Sequence, residues 1–459
     1  MKNDQSKILE IQKNFFKSGI LNDIVYRKNA LIKLEREIKK NEINIHKALY
    51  EDLGKSEGES FLTEIHFVYN EIKIALKNIH SWTKRKSVRS SLLNFPSSDY
   101  IIAQAFGNTL HISPWNYPFQ LSISPLIGAI AAGNTVVLKP SEYSVQTSKI
   151  LEKILHNVFD EGFVRVVQGG PKTAISLLDL KWDYIFFTGS VNVGKIVAKK
   201  AAEFLTPTTL ELGGKNPCVV DESVSIKTTA KRIVWGKFIN CGQTCIAPDF
   251  IIVNKKIKTE LVNEIIVQIK KLFGKEPRKS SSYGRIIGEK HFNYLKSLLK
   301  NQKIIFGGKF DLKDKFFEPT IVDIDNFKSK IMEDEIFGPI LPIYSYDDFR
   351  EVDEIIKKYK NPLALYIFTK NISFGEKFLH RHSFGGGAVN DTVVHIINDR
   401  LPFGGIGNSG MGKYHGESTF NTFSHFKPYI SKPLWIDIPL RYPPFENKLK
   451  FLKKILKLT

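Results

Sequence analysis

Residues 109–142 read TLHISPWNYPFQLSISPLIGAIAAGNTVVLKPSE, and the fold is decided here. Residues 109–114 form a short apolar run ending in Ser-Pro. Residues 121–132 are small and apolar over a length that suits a helix, and Gly133-Asn134 ends it. Residues 135–138 are β-branched and lead into Lys139-Pro140-Ser141-Glu142. The alternation continues with a helix over 145–158, a strand over 164–167, a helix over 173–178 and a strand over 184–187. Strands alternating with helices predict an α/β fold with a parallel, doubly wound sheet. Ligands of such sheets sit at the carboxyl ends of the strands. Lys139, Glu142 and Gly189 each follow a predicted strand end.

Downstream of the strand at 184–187 comes Thr188-Gly189-Ser190-Val191-Asn192-Val193-Gly194, then a predicted helix over 195–204. A strand, a glycine turn and a helix present backbone N–H groups to an anion. The spacing is not GxGxxG, so an ordinary βα turn is the alternative. Glu211 stands between leucines and before Gly213-Gly214. Partial desolvation there would raise its pKa towards that of a general base; the alternative is an exposed turn carboxylate. A second α/β unit starts near residue 225. In it Cys245 lies between a helix broken at Gly242 and a strand over 250–253. A short loop between rigid elements is a place for a nucleophile, although most cysteines are small buried hydrophobes.

Upstream, residues 2–88 read as helices without a catalytic signal, broken at Gly19 and Gly54. Residues 90–107 read as a hairpin or a pair of extended strands. Residues 401–412, LPFGGIGNSGMG, form a glycine-dense loop. The 459 residues, 42% hydrophobic, allow two or three domains with a sizeable core. The N-terminus lacks the pattern of a signal peptide, and no apolar run is long enough to span a membrane. Three cysteines, an odd and low count, suit a reducing cytoplasm. No Cys/His spacing suits a metal site. The net charge of +20 is spread in short groups, which reads as a lysine-rich surface rather than a nucleic-acid site. At 446–459 leucines and isoleucine fall on one helical face and lysines largely on the other. Such a helix lies on an anionic membrane or docks on its own protein.

Taken together, the motifs resemble the aldehyde dehydrogenase superfamily, and within it the class 3 group that includes fatty aldehyde dehydrogenases. The resemblance covers about residues 15–444. It is carried by SPWNYPF (113–119), AAGNTVVLKPSE (131–142), FTGSVNVGK (187–195), TLELGGKNPCVVD (209–221), WGKFINCGQTCIAPD (235–249), YGRIIG (283–288), EDEIFGPILPI (333–343), PLALYIF (362–368) and LPFGGIGNSGMGKYHGESTFNTFSH (401–425). Little sequence before FFKSG (15–19) and the ending LRYPP (440–444) point to class 3. Departures fall at Ala105-Phe106-Gly107, where the family commonly has Pro-x-Gly, and at Gly288; neither is a catalytic position.

The resemblance implies an NAD-dependent enzyme, with NADP possible, that oxidises medium- or long-chain aliphatic or aromatic aldehydes to acids. It implies Cys245 as nucleophile, Glu211 as general base and Asn116 as oxyanion donor. It further implies Lys139 and Glu142 at the adenosine ribose, Gly189, Ser190 and Gly194 by the adenosine and pyrophosphate, Glu335 at the nicotinamide ribose and Phe337 near the nicotinamide. The implied build is two doubly wound α/β domains: residues 1–210 for the cofactor and 211–420 for catalysis. Residues 421–445, with 90–107, would bridge two subunits of a homodimer. Residues 446–459 would form a basic amphipathic tail with possible peripheral membrane contact. The rival readings are an aldehyde dehydrogenase that passes the acyl group to coenzyme A, and a basic binding protein that has lost activity.

Overall fold

The computed structural model describes residues 2–91 and 94–456. Helices Lys2–Lys17, Ile24–Lys40, Glu42–Leu53 and His66–Thr83 form the N-terminal layer. Asp23 caps the second of these by accepting the Val25 N–H at 2.8 Å. Gly54 ends the third in the left-handed conformation, as the sequence predicts.

Six strands make the first sheet, in the order Gly410–Met411, Thr208–Glu211, Tyr184–Thr188, Asn108–Ile112, Thr135–Lys139, Val164–Val166. All neighbours are parallel except Gly410–Met411, which lies antiparallel to Thr208–Glu211. Two inner strands, Asn108–Ile112 and Thr135–Lys139, are buried at every position. Burial on both faces is what helix-covered parallel strands require, and it explains their unbroken apolar runs. The chain steps outward from Asn108–Ile112 to Val164–Val166, then returns to the other side at Tyr184–Thr188. This reversal opens a crevice beyond the carboxyl ends of the two strands flanking it.

Seven strands make the second sheet, in the order Lys303–Phe306, Thr320–Asp323, Ile340–Tyr346, Phe250–Asn254, Pro217–Val220, Ala364–Phe368, Gly386–Val389. Only Lys303–Phe306 is antiparallel. A third, antiparallel sheet joins Lys86–Val88, Ser98–Ala105 and Ser424–Ser431. Its register sets Tyr100 opposite Tyr429, and their rings stack at 5.1 Å. The α/β fold with two wound sheets and a bridging β segment is therefore as the sequence implies.

Three expectations need correction. The helix expected at 195–204 runs over Val191–Glu203, so Gly194 lies in its first turns and not in the preceding loop. Ser190 is its cap and accepts the Val193 N–H, which starts the helix early. The strand pair expected at 90–107 begins earlier, at Lys86–Val88. The C-terminal helix spans Leu449–Leu456; residues 457–459 of the expected 446–459 stretch lie outside the described residues.

Candidate active site

Between the two large sheets lies a cavity of about 1450 Å³. Its walls follow the carboxyl ends of first-sheet strands, at Asn116 and Thr188–Ser190. From the second sheet they take segments that precede strands: Gly213-Gly214, Cys245, Glu335, Phe337 and Leu363. The carboxyl-end rule therefore holds for the first sheet, and the second contributes amino ends.

Cys245 sits on this wall with partial exposure. Its loop is held from one side by Asn216, whose Nδ2 donates to the Cys245 and Ala247 oxygens at 2.7 and 3.0 Å. Gly242 (φ 75) begins the turn; a Cβ there would lie 2.4 Å from the Gly338 carbonyl carbon, so only glycine fits. Burial pushes the thiol pKa up, with Glu335 and Glu211 adding to it. The backbone N–H groups of Cys245 and Ile246 pull the other way.

Glu211 ends strand Thr208–Glu211 and is buried, which excludes the exposed-turn alternative. Neither carboxylate oxygen has a hydrogen-bond partner, and burial raises its pKa well above the carboxylate range. Asn116 is buried in the loop after Asn108–Ile112, and its Nδ2 donates to the Gln243 oxygen at 3.2 Å. Thiol, base and amide donor thus share one cavity.

The Glu335–Phe337 loop is pinned along its backbone. Lys215 donates to the Ile331 and Asp334 oxygens at 2.6 and 2.8 Å. Tyr294 and His291, one turn apart on helix Glu289–Leu298, reach the Glu335 and Phe337 oxygens at 3.2 and 2.7 Å. Ile336 N donates to Asp249 at 3.1 Å. Phe337 is held at φ 54, rare for a bulky residue, with Trp115 edge-on at 5.2 Å. Burial, then Asp249, lifts the Glu335 pKa well above its usual value, and Glu335 Oε1 has no partner. Lys237, fully buried nearby, is brought down to about 8 by burial.

Gly189 and Ser190 line the cavity at the start of helix Val191–Glu203. Lys139, Glu142 and Gly194 do not. Lys139 and Glu142 pair at 2.6 Å beyond strand Thr135–Lys139, next to the cavity strand Asn108–Ile112. Gly194 faces Leu212, whose Cδ2 would lie 2.5 Å from a Cβ there. Sequence reading missed Lys215, Lys237, His291, Tyr294, Glu59 and Lys55. Only Lys215 and Lys237 gave a signal, as lysines inside the quoted motifs TLELGGKNPCVVD and WGKFINCGQTCIAPD.

The free Oε1 of Glu335 and a helix N-terminus at Gly189-Ser190 suit the hydroxyls and phosphates of a dinucleotide. Comparison with known proteins shows the family. Residues 6–428 match the aldehyde dehydrogenase family. The chain is 44% identical over 447 residues to the 4,4'-diaponeurosporen-aldehyde dehydrogenase of Staphylococcus aureus, covering 97% of each. It is 42% identical to aldehyde dehydrogenase family 3 member A2 of Pongo abelii, covering 94% of this chain and 89% of that one. The solved substrate-bound state of Staphylococcus aureus AldH superposes with a TM-score of 0.97 at 43% identity, over 98% of this chain and 99% of that one. This chain belongs to the aldehyde dehydrogenase family. Within it the likeness is to family 3, and the activity is NAD(P)-dependent oxidation of aldehydes.

Proposed function

We propose that Cys245 attacks the aldehyde carbon as a thiolate, and that the Asn116 amide and the Cys245 N–H receive the resulting oxyanion. Donors already in place are worth a few kcal/mol of barrier each. A nicotinamide dinucleotide, when bound, would accept the hydride that leaves the thiohemiacetal carbon as its C–O bond becomes the thioester carbonyl. Glu211 then takes a proton from the water that hydrolyses the thioester. Its unpartnered, buried carboxylate is the observation that carries this reading: a base kept dry and free has no structural use for its charge. Glu335 would hold the nicotinamide ribose and Phe337 would pack by the nicotinamide. Gly189 and Ser190 would face the pyrophosphate, with Gly194 letting the helix approach Leu212. Lys139 and Glu142 would hold the adenosine ribose; the Glu142 carboxylate repels a 2′-phosphate, which favours NAD over NADP.

The cavity walls carry Leu62, Phe67, Tyr117, Trp235, Ile239 and Phe403. Such walls suit medium- or long-chain aliphatic and aromatic aldehydes. The division into a cofactor domain over 1–210 and a catalytic domain over 211–420 fits the two large sheets, with Gly410–Met411 handed back to the first. A homodimer is the assembly we infer. Among the described residues, Ser424–Ser431 and Gly386–Val389 each pair on one side only, leaving edges for a second copy. No described helix is long and apolar enough to cross a membrane. Peripheral contact is assigned to Leu449–Leu456, where Leu449 and Phe451 are exposed beside Lys450, Lys453 and Lys454.

The test is NADH formation with hexanal, decanal and benzaldehyde. Wild type should turn over, Cys245→Ala should not, and Glu211→Gln should give a burst that stalls at the acyl-enzyme. Steady turnover by Cys245→Ala would sink the nucleophile assignment.

A further inference from the structure

The N-terminal helices carry no catalytic motif, yet residues 55–64 reach the site. Lys55 is fully buried; its Nζ donates to Glu64 Oε1 at 2.5 Å and to the Asn116 backbone oxygen at 2.9 Å. It also lies 4.0 Å from the Tyr117 ring centroid. The other Glu64 oxygen accepts the Phe119 and Gln120 N–H groups at 2.8 and 3.2 Å, at the start of helix Gln120–Ala132. Glu59, on the cavity wall, accepts the Asn240 N–H at 2.6 Å. Asn240 Nδ2 donates to the Asn116 and Gln243 oxygens at 2.8 and 3.1 Å. The Asn116 carbonyl therefore receives two donors, one from the N-terminal layer and one from the turn before Cys245.

Stability alone gives no reason for this arrangement. A fully buried ion pair is often matched or bettered by apolar residues of the same volume. Asn240 and Cys241 both sit at φ 53 ahead of Gly242 at φ 75, a left-handed run that costs non-glycine residues energy. The helix carrying Glu64 is itself irregular: Phe61–Ile65 is a π-helical turn between Glu57–Ser60 and His66–Thr83. Such turns are rare and concentrate at functional sites. One extra residue rotates the following face by about 100°. Three departures from the cheapest backbone and side-chain choices thus converge on the link between Asn116 and the nucleophile loop.

We propose that Lys55, braced by Glu64, is a positioning residue that fixes the Asn116 amide against the nucleophile loop, while Glu59 fixes that loop from the same segment. The two halves of the site come from different sheets, and residues 55–64 are the bracket between them. The proposal rests on the roles given above to Asn116 and Cys245.

A double-mutant cycle separates this role from a merely structural one. The full-length enzyme is compared as wild type, Asn116→Ala, Lys55→Met/Glu64→Gln and the combination. The Glu64→Gln change keeps an acceptor for the Phe119 N–H and, with Lys55→Met, removes the ion pair whole; Glu59, which loses the cation Lys55 and the anion Glu64 together, keeps the Asn240 N–H. Lys55→Met/Glu64→Gln should lower kcat by about 10- to 100-fold, the size expected of a displaced catalytic group, while KM for NAD holds. In the Asn116→Ala background the same change should cost less than about threefold more, because the group it positions is gone. Full multiplication of the two losses overturns the proposal. If Asn116→Ala alone leaves kcat unchanged, the oxyanion role of Asn116 fails instead, and the proposal falls with it. Should the double substitution fail to fold, Asn240→Ala removes the second donor to the same carbonyl without burying a charge. It runs through the same cycle, and a multiplicative loss there also overturns the proposal.

Discussion

A Cβ on Gly213 would lie 1.9 Å from Oε2 of Glu335. The glycine pair that follows Glu211 thus does more than turn the chain: it leaves room for a carboxylate arriving from a loop more than a hundred residues away. The atom it meets is the far end of a flexible side chain, so Gly213→Ala should displace the carboxylate rather than the backbone. We expect little change in melting temperature and a rise of about 10- to 100-fold in KM for NAD, one lost charge-assisted hydrogen bond being worth about 1.5–3 kcal/mol. A large drop in melting temperature with unchanged KM would place the strain in the fold and remove Glu335 from the cofactor.

Thiol labelling should be selective. Cys218 and Cys241 are fully buried, whereas Cys245 is partly exposed on the cavity wall. Iodoacetamide should therefore modify Cys245 alone, as read by peptide mass spectrometry. Burial and then the Glu335 and Glu211 carboxylates lift the Cys245 thiol. Neutralising one acid removes a negative neighbour, so Glu335→Gln should move the midpoint of the labelling-rate profile to lower pH. A midpoint that stays or rises would show that the carboxylate does not face the thiol.

The order of strands and helices from residue 109 to 188 was legible because strands buried on both faces leave unbroken β-branched runs, and helix Gln120–Ala132 between the first two ends at Gly133; strands Thr208–Glu211 and Pro217–Val220 were not, because they are short and abut glycines or prolines. The start of helix Val191–Glu203 was not, because Gly194 inside it mimics a turn when only the sequence is read. Cys245, Glu211 and Asn116 were legible through their motifs. Lys55 and Glu59 were not, because a lysine and a glutamate in a charged helical region look solvated; only tertiary packing buries Lys55. The same holds for His291 and Tyr294, whose partners are backbone oxygens far along the chain.

Membrane contact by the C-terminal helix has a quantitative signature. Lys450, Lys453 and Lys454 lie on its exposed side, and each basic residue near an anionic surface is worth about 1 kcal/mol. Replacing all three with Gln should reduce partition onto vesicles of anionic phospholipid by about 100-fold at low salt, with no change in aldehyde turnover. Salt should release the wild type in the same assay. Equal sedimentation of the wild type with neutral and anionic vesicles, or with none, would leave the helix without a membrane role.

Glu71 carries the last prediction. It is buried in helix His66–Thr83, and both its oxygens face the Gly416 N–H at 3.2–3.3 Å. His415 stands 3.7 Å away, and burial brings it down to about 4, so it stays neutral above pH 5. Burial, with Asp399 adding to it, raises Glu71 to about 7. The native state therefore holds this proton more tightly than the unfolded chain does. The resulting stabilisation is fully present below about pH 4.5 and is lost as pH rises through about 7. Across that interval the loss is of order 3 kcal/mol, each pKa unit corresponding to about 1.4 kcal/mol. Glu71→Gln keeps an acceptor for Gly416 and has nothing to ionise. It should match wild type in melting temperature at pH 5 and melt higher at pH 8. A variant that melts lower than wild type at pH 8 would mean that the ionised carboxylate, and not its neutral form, is what holds the Tyr414–Gly416 turn beside the cavity.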